Sequence, residues 1–261
     1  MNLLSEIVSS KQRRVDQAKK LVPLEQMRAM ASEARQDAEA HALLKALSDE
    51  SKINIIAEFK RRSPSKGEIR RDADPLITAR AYESAGAAAV SVLTEEDYFG
   101  GSLDDLRAVR NTVSLPILRK DFVFDKYQVY ESAAAGADAV LLIVATLADE
   151  ALGRLRRMTE DELGMDALVE VHAAAEMTRA AACGAKIIGV NNRDLQTFTV
   201  SLETSVQLAP IAPKGSVLIS ESGISSAGDI RRLRSVGYCA FLIGESLMRA
   251  DDPGEALRAF L

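Results

Sequence analysis

The sequence contains no tryptophan, two cysteines and two histidines among its 261 residues. Two cysteines cannot supply the disulfide framework of a small secreted fold. His41 and His172 are too few and too far apart in sequence for a histidine-built metal site. No stretch approaches the ~18 consecutive apolar residues of a membrane span, and Glu6 lies where a signal peptide has a basic segment. We therefore expect a cytoplasmic protein with no membrane contact and no bound metal.

An excess of positive charge is also lacking. Lys plus Arg number 33 and Asp plus Glu 38, so the net charge is −5 and the pI is about 5.3. An acidic chain has no general attraction to a phosphate backbone, which argues against a nucleic-acid partner. Apolar residues make up 47% and charged residues 27%, as in globular proteins, and the length suits one barrel of about 250 residues.

Short apolar runs alternate with longer segments that have helical patterning. The runs are continuous, which is typical of parallel strands covered on both faces. Each gap is long enough for a crossover helix, and segments such as Asp104–Arg107 begin with acidic residues, as helices do. We predict eight strands, at Ile53–Phe59, Ala88–Leu93, Leu115–Leu118, Ala139–Val144, Ala167–Val171, Ile187–Val190, Val217–Ile219 and Ala240–Ile243.

Three predicted helices end at a glycine, namely Gly86, Gly136 and Gly184. Glycine takes the left-handed conformation after a helix without a Cβ penalty. Eight strand–helix units predict an α/β fold, a (β/α)8 TIM barrel. The alternative is an open doubly wound sheet, which more often has a glycine-rich turn after its first strand, whereas Lys60–Ser65 follows here. We interpret residues 1–261 as one barrel domain, of which residues 1–52 form an N-terminal helical extension packed on the barrel.

Charged residues follow several predicted strands at the C-terminal face, where barrel enzymes place their active sites. Because side chains alternate along a strand, Glu58 and Lys60 should point inward with Ile56, while Phe59 faces the helices. The same parity places Lys120 and Glu170 inward, and Asn191 and Glu221 lie at the ends of the sixth and seventh strands.

Two lysines and three glutamates therefore converge on one cavity. Burial of such groups is costly for each unpaired ion and shifts pKa values towards those that acid–base catalysis needs. This pattern favours a catalytic site over the alternative, a salt-bridge network that closes the top of the barrel.

Two glycines suggest a phosphate site. Ser222 and Gly223 follow the seventh strand and Gly244 follows the eighth, and barrel enzymes often bind phosphate with these two loops. The alternative is a pair of ordinary turn glycines. Glu245 is an unusual neighbour for a phosphate, so we expect only its backbone N–H to help and its carboxylate to point away.

Three weaker features leave alternatives open. The basic run Lys60–Arg62 either attracts an anionic substrate or leaves Arg61 and Arg62 solvated. His172 shares parity with Glu170, but we expect a supporting rather than a catalytic residue. Phe99 and Phe122 either line a pocket or belong to the core.

Five segments, in this order, resemble the indole-3-glycerol-phosphate synthase family over nearly the whole chain, including the extension. They are Ile55–Ser65, Leu118–Phe122, Val169–His172, Gly189–Leu195 and Ser220–Ile224.

The resemblance implies an enzyme of tryptophan biosynthesis that needs no metal or organic cofactor. It would close 1-(2-carboxyphenylamino)-1-deoxyribulose 5-phosphate to indole-3-glycerol phosphate with loss of carbon dioxide and water. Lys120 would be the general acid for ring closure and Glu170 the general acid/base. Glu58 and Lys60 would steer the substrate and assist dehydration, while Asn191 and Glu221 would hold the substrate hydroxyls and the developing charge.

The resemblance also implies a binding site for an anionic sugar phosphate. Ser222, Gly223 and Gly244 would contact the phosphate, with Ser63 and Arg193 in support, and the anthranilate ring would lie among Phe99, Phe122, Leu141 and Leu195. Some family members carry serine in place of Glu245. Transient contact with other tryptophan-pathway enzymes is a further expectation.

Two other functions stay open from the residues alone. A Schiff-base aldolase on the same barrel would use Lys120 or Lys60 as its nucleophile. A non-catalytic barrel would bind a sugar phosphate without turning it over.

Overall fold

A computed structural model describes residues 3–194 and 197–261. Eight parallel strands form a closed barrel in which each strand pairs with its neighbours in the chain, and β1 pairs with β8. The predicted (β/α)8 TIM barrel is confirmed. The strands are β1 Asn54–Phe59, β2 Ala89–Leu93, β3 Ile117–Lys120, β4 Ala139–Ile143, β5 Asp166–Val171, β6 Ile187–Asn191, β7 Val217–Glu221 and β8 Ala240–Ile243.

Three helices precede the barrel, one follows each of the first seven strands, and two follow β8. None of the helices in the described ranges is long and apolar enough to cross a membrane. The helices are α1 Leu3–Leu21, α2 Leu24–Ala34, α3 Ala42–Leu47, α4 Pro75–Ala85, α5 Leu103–Arg110, α6 Lys126–Ala134, α7 Asp149–Arg157, α8 Ala174–Ala182, α9 Glu203–Leu208, α10 Ala227–Arg234, α11 Glu245–Arg249 and α12 Pro253–Arg258.

Local signals fix the ends of several helices. The Ser102 side chain accepts a hydrogen bond from the Asp105 N–H at the start of α5, and Asp125 forms a capping box at the start of α6; both satisfy backbone N–H groups that have no partner within the helix. Gly86, Gly136 and Gly184 have φ angles of 94°, 90° and 79°, so the predicted glycine stops are confirmed.

The third strand differs from its prediction. The apolar run predicts Leu115–Leu118, whereas β3 runs from Ile117 to Lys120. Pro116 has no N–H to contribute to a parallel ladder, which explains why the strand begins after it. The strand then continues through Arg119 and Lys120, because carboxylate groups of the protein compensate the positive charges of both side chains.

Two apolar layers hold the barrel together. Ile56, Leu118, Leu168 and Ile219 belong to the cluster inside the barrel, and the alternate strand residues pack against the surrounding helices. Fully buried Leu43 and Leu47 of α3 join the interior cluster. Helix α3 of the extension therefore closes the barrel at the N-terminal ends of the strands, opposite the end where the active site is expected.

Helix α1, also part of the extension, lies at the C-terminal ends of the strands. Buried Lys11 donates hydrogen bonds to Asp121 after β3 at 2.9 Å and to Glu96 after β2 at 2.6 Å. The hydroxyl of Ser10 donates to Asp97 at 2.6 Å. These bonds fasten the first helix to the loops that follow β2 and β3.

Candidate active site

The C-terminal ends of the strands surround a cavity of about 190 Å³. Every predicted site residue in the described ranges lines it. They are Glu58, Lys60, Ser63, Phe99, Phe122, Leu141, Lys120, Glu170, Asn191, Arg193, Glu221, Ser222, Gly223 and Gly244. Leu195, expected in the ring pocket, lies outside the described residues.

Lys120 is the centre of a buried ion network. Its Nζ lies 3.2 Å from Oε2 of Glu170 and 3.0 Å from Oε2 of Glu221. The two glutamate side chains are 3% and 1% exposed. Two carboxylates thus share one ammonium group in a site with little water, where charges interact strongly.

This arrangement separates the pKa values of the network. Burial lowers the pKa of Lys120, but Glu221, Glu170 and Glu58 outweigh it, so the pKa rises well above its usual range. Burial, only partly offset by Lys120 and reinforced by repulsion from Glu170, raises the pKa of Glu221 to about 7. For Glu170, Lys120 and His172 overcome burial and lower the pKa. The site therefore holds a charged lysine, an ionised glutamate and a glutamate that exchanges its proton near neutral pH.

A second lysine–glutamate pair lies beside the first. Lys60 donates a hydrogen bond to Oε1 of Glu58, and the Glu58 side chain is 5% exposed. The pair lies where strand parity predicts it, at the end of β1 and inside the barrel.

Two glycines make room for the glutamates. A Cβ on Gly189 of β6 would lie 2.1 Å from Oε1 of Glu221, and a Cβ on Gly244 would lie 2.3 Å from Oε1 of Glu58. Any side chain at either position would displace a site carboxylate. Gly244 is predicted from the sequence as a phosphate contact, and the structure gives it this additional role.

His172 supports Glu170 from the neighbouring loop. Its Nε2 lies 3.4 Å from Oε1 of Glu170, and its Nδ1 lies 3.2 Å from Oε2 of Glu176 on α8. Burial lowers the pKa of His172, but the two carboxylates outweigh burial and raise it. This is the supporting position that we expect from the sequence.

The loops after β7 and β8 lie together at one end of the cavity. Ser222 has φ 67° and Gly223 φ 82°, and a non-glycine residue held in this region is uncommon and costs on the order of 1 kcal/mol. Such strain persists only where the surroundings impose it, and it is frequent at ligand sites. A Cβ on Gly223 would also lie 2.5 Å from Cγ1 of Val200.

Glu245 contributes a carboxylate to this end. Its Oε1 accepts a hydrogen bond from Nε of Arg249 at 3.2 Å and lies 3.6 Å from Nζ of Lys66. Its Oε2 lies 3.9 Å from Nη2 of Arg193. The side chain that is expected to point away thus contacts Arg193, which itself lines the cavity.

The other end of the cavity is apolar. The rings of Phe99 and Phe122 are 6.2 Å apart at 44°, and Leu141 of β4 lines the same space. Their apolar faces suit a flat aromatic group.

The sequence reasoning misses the contribution of the first helix to the cavity. Leu3, Leu4 and Ile7 of α1 also line the cavity. Their helical spacing is visible in the sequence, but a pattern of spacing names no packing partner.

The two arginines of the basic run after β1 form hydrogen bonds with neighbouring loops and helices of the protein. Arg61 forms two hydrogen bonds with Asp105, the longer of 2.9 Å. Arg62 donates to the carbonyl groups of Asp97 and Tyr98. Both guanidinium groups are committed to the protein, so neither expected role of Arg61 and Arg62, solvation or attraction of the substrate, describes their contacts.

Among residues 3–194 and 197–261, no group of three or more His, Cys, Asp or Glu side chains is placed to hold a metal ion.

The fold and the site define a barrel enzyme with buried lysine and glutamate side chains at the ends of its strands. A family model for indole-3-glycerol phosphate synthase matches residues 4–260. Indole-3-glycerol phosphate synthase of Carboxydothermus hydrogenoformans is 50% identical over 99% of each chain. That of Syntrophobacter fumaroxidans is 48% identical over all of this chain and 97% of its own.

The chain therefore belongs to the indole-3-glycerol phosphate synthase family. It is a carboxy-lyase of tryptophan biosynthesis, EC 4.1.1.48. Among solved structures, 3-hexulose-6-phosphate synthase from Salmonella typhimurium superposes with a TM-score of 0.65 at 13% identity, covering 80% of this chain and 96% of that one. At that identity the likeness concerns the fold alone.

Proposed function

We propose that this cavity closes 1-(2-carboxyphenylamino)-1-deoxyribulose 5-phosphate to indole-3-glycerol phosphate, carbon dioxide and water, with Lys120 as the general acid. The observation that carries the proposal is the position of Lys120, whose ammonium group lies 3.2 and 3.0 Å from two buried glutamates. Family membership supplies the reaction; the assignment of its steps to residues is our inference.

Ring closure needs a proton at the ketone oxygen. The ring carbon that bears the carboxylate attacks the ketone carbon, and the carbonyl electron pair moves to oxygen as the new C–C bond forms. Lys120 donates its proton to that oxygen. The carboxylates of Glu170 and Glu221 keep the amine charged, so the proton is present at the place where negative charge develops on the ketone oxygen.

Decarboxylation and dehydration follow. The C–C bond to the carboxylate breaks and its electrons restore the aromatic ring, releasing carbon dioxide. A base then removes a proton from the new five-membered ring while the hydroxyl group leaves with an added proton as water. We assign general acid/base catalysis to Glu170, and assistance to the departing hydroxyl to Lys60 with Glu58.

Glu221 and Asn191 hold the sugar chain in this proposal. Oε1 of Glu221 is buried and has no hydrogen-bond partner in the described part of the chain. An unpaired buried acceptor is costly unless a ligand satisfies it, which supports a contact with a substrate hydroxyl.

The two ends of the cavity suit the two ends of the substrate. We place the phosphate at the backbone of Ser222, Gly223 and Gly244, with Ser63 and Arg193 in support. The anthranilate ring lies among Phe99, Phe122 and Leu141 and against the first helix.

We also propose that residues 1–261 act as one domain in the cytoplasm. The partner is this anionic sugar phosphate, with transient contact to other tryptophan-pathway enzymes. The reaction as written uses only acids and bases, so we propose that it proceeds without a metal or an organic cofactor.

A Schiff-base aldolase is less compatible with this site. Imine formation needs a neutral amine, whereas the carboxylates around Lys120 raise its pKa. A barrel that only binds a sugar phosphate gives no reason for the buried acid–base network.

The test is a direct assay of the purified protein with the substrate in buffer that contains EDTA. The chain has no tryptophan, so indole absorbance and fluorescence appear against a low background. We expect one carbon dioxide per indole product. Binding without product would support the non-catalytic barrel, and a covalent adduct trapped by borohydride would support the aldolase.

A further inference from the structure

Glu245 places a negative charge where an anionic ligand would be expected to meet only positive charge. It is the first residue after Gly244 and lines the cavity beside Ser222 and Gly223. Its side chain is 29% exposed, so the carboxylate is partly screened by solvent but remains part of the wall.

Three cations are already in contact with that carboxylate. Lys66, Arg193 and Arg249 lie 3.6, 3.9 and 3.2 Å from its oxygens, and Arg193 also lines the cavity. The lysines that line the cavity within the described residues, Lys60 and Lys120, are paired with other glutamates. A phosphate that enters therefore meets Arg193 with its charge partly neutralised in advance.

We propose that Glu245 is an affinity-setting residue, an internal anion that competes with the phosphate of the ligand for Arg193. The proposal rests on the proposed function only in placing a phosphate ester at this end of the cavity. The weaker phosphate affinity applies equally to substrate and product, since both carry the same phosphate group.

Electrostatics gives the size of the effect. Two like charges about 4–6 Å apart in a water-like medium repel by an amount that corresponds to a change in affinity of about three- to tenfold, and the partial exposure of Glu245 to solvent favours this limit. The effect weakens as salt is added, because an exposed carboxylate is screened. Removal of the charge with retention of the side-chain shape should therefore tighten phosphate binding, most strongly at low ionic strength.

Three variants separate charge from shape. Glu245→Gln removes the charge, and Glu245→Asp keeps it on a shorter side chain. Glu39→Gln is the matched control, because Glu39 is exposed and forms a surface ion pair with Lys45 in the extension. Calorimetry with inorganic phosphate as the probe measures Kd for each full-length protein at low and at high salt.

We expect E245Q to bind phosphate about three- to tenfold more tightly than the wild type at low salt, with a smaller difference at high salt. The phosphate Kd of E245D and that of E39Q should each stay within about twofold of the wild-type value. E245D keeps the charge, and the charge at position 39 is exposed and screened. In turnover assays we expect the KM of E245Q to fall, because the substrate binds more tightly. Its kcat should not rise, because the product also binds more tightly.

Unchanged or weaker phosphate binding in E245Q would overturn the proposal, as would a failure of both proteins to bind phosphate. An equal gain in E39Q would also overturn it, because net charge alone would then explain the effect. The binding measurement does not depend on turnover. A wild-type protein that forms no indole would instead refute the proposed function.

Discussion

Gly189 offers a sharp test of the site, because the absence of a side chain there leaves the space that Glu221 occupies. In Gly189→Ala the new Cβ would lie 2.1 Å from Oε1 and 3.2 Å from Cδ of Glu221, and 3.1 Å from Cδ1 of Leu168. The separation from Oε1 is far below van der Waals contact, so the carboxylate must move. Its 3.0 Å bond to Lys120 then breaks.

The magnitude follows from that bond. A hydrogen bond to a charged group contributes about 1.5–3 kcal/mol, and each ~1.4 kcal/mol of transition-state stabilisation changes a rate tenfold. We expect kcat to fall about 10- to 100-fold in G189A. Overpacking at a buried site should lower the free energy of unfolding by about 1–3 kcal/mol, which leaves the protein folded.

Steady-state kinetics and urea unfolding measure the two effects. Gly153→Ala is the matched control, since Gly153 lies within α7 and a Cβ there would meet only the flexible end of Arg157 at 3.3 Å. Alanine in a helix interior should be neutral or slightly stabilising.

A double-mutant cycle decides the cause. With Glu221→Ala already present, the methyl group at position 189 has no carboxylate to displace, so G189A should then change kcat little. If the two substitutions reduce kcat independently, or if G189A alone keeps wild-type kcat, the packing argument is wrong.

Two further predictions concern stability. In the wild type the pKa of the Glu221 carboxyl is about 7 in the folded state and near 4.5 in the unfolded state, so rising pH disfavours the folded state. Glu221→Gln removes this ionisation. From pH 5 to 8 its free energy of unfolding should therefore rise relative to that of the wild type by up to about 3 kcal/mol. Urea unfolding of both proteins at several pH values tests this, and a constant difference would contradict it. Lys11→Met removes one of the cations on buried Asp121 and should lower the free energy of unfolding by about 3 kcal/mol, whereas a change within ~0.5 kcal/mol would show that the remaining partners suffice.

Strand geometry explains why much of the site could be predicted from the sequence. Once the runs are interpreted as parallel barrel strands, the period of two decides which side chains face inward. Glu58, Lys120 and Glu170 therefore had a predictable position as soon as their strands were identified. The cavity lining agrees with that reasoning at each of these residues.

Contacts between distant segments were not predictable in the same way. Lys11 is 110 residues from Asp121, and nothing in the local sequence of either residue names the other. The apolar residues at the start of α1 likewise predict a helix that packs, but not that it packs at the mouth of the cavity. The N-terminal extension therefore has a larger part in the site than its sequence indicates.

Partners also decide what a charged residue does. From the sequence, Arg61 and Arg62 are expected to be solvated or to attract the substrate, yet Asp105 and two backbone carbonyl groups bind them. Glu245 shows the converse case, because two of its cations, Lys66 and Arg193, come from distant loops. The local sequence around a charged residue does not identify partners that are distant in the chain.

The most direct test of the central claim is turnover by Lys120→Gln. A glutamine cannot supply the proton for ring closure, so kcat should fall by about 10²- to 10⁴-fold while the inactive variant still binds the substrate in a calorimetric titration. Lys120→Arg keeps the charge between Glu170 and Glu221, but its planar guanidinium group presents its donors in a different geometry, and it should be similarly slow. Lys126→Gln, at the exposed start of α6, is the control and should retain wild-type kcat. If folded K120Q or K120R retains kcat within tenfold of the wild type, Lys120 is not the acid that closes the ring.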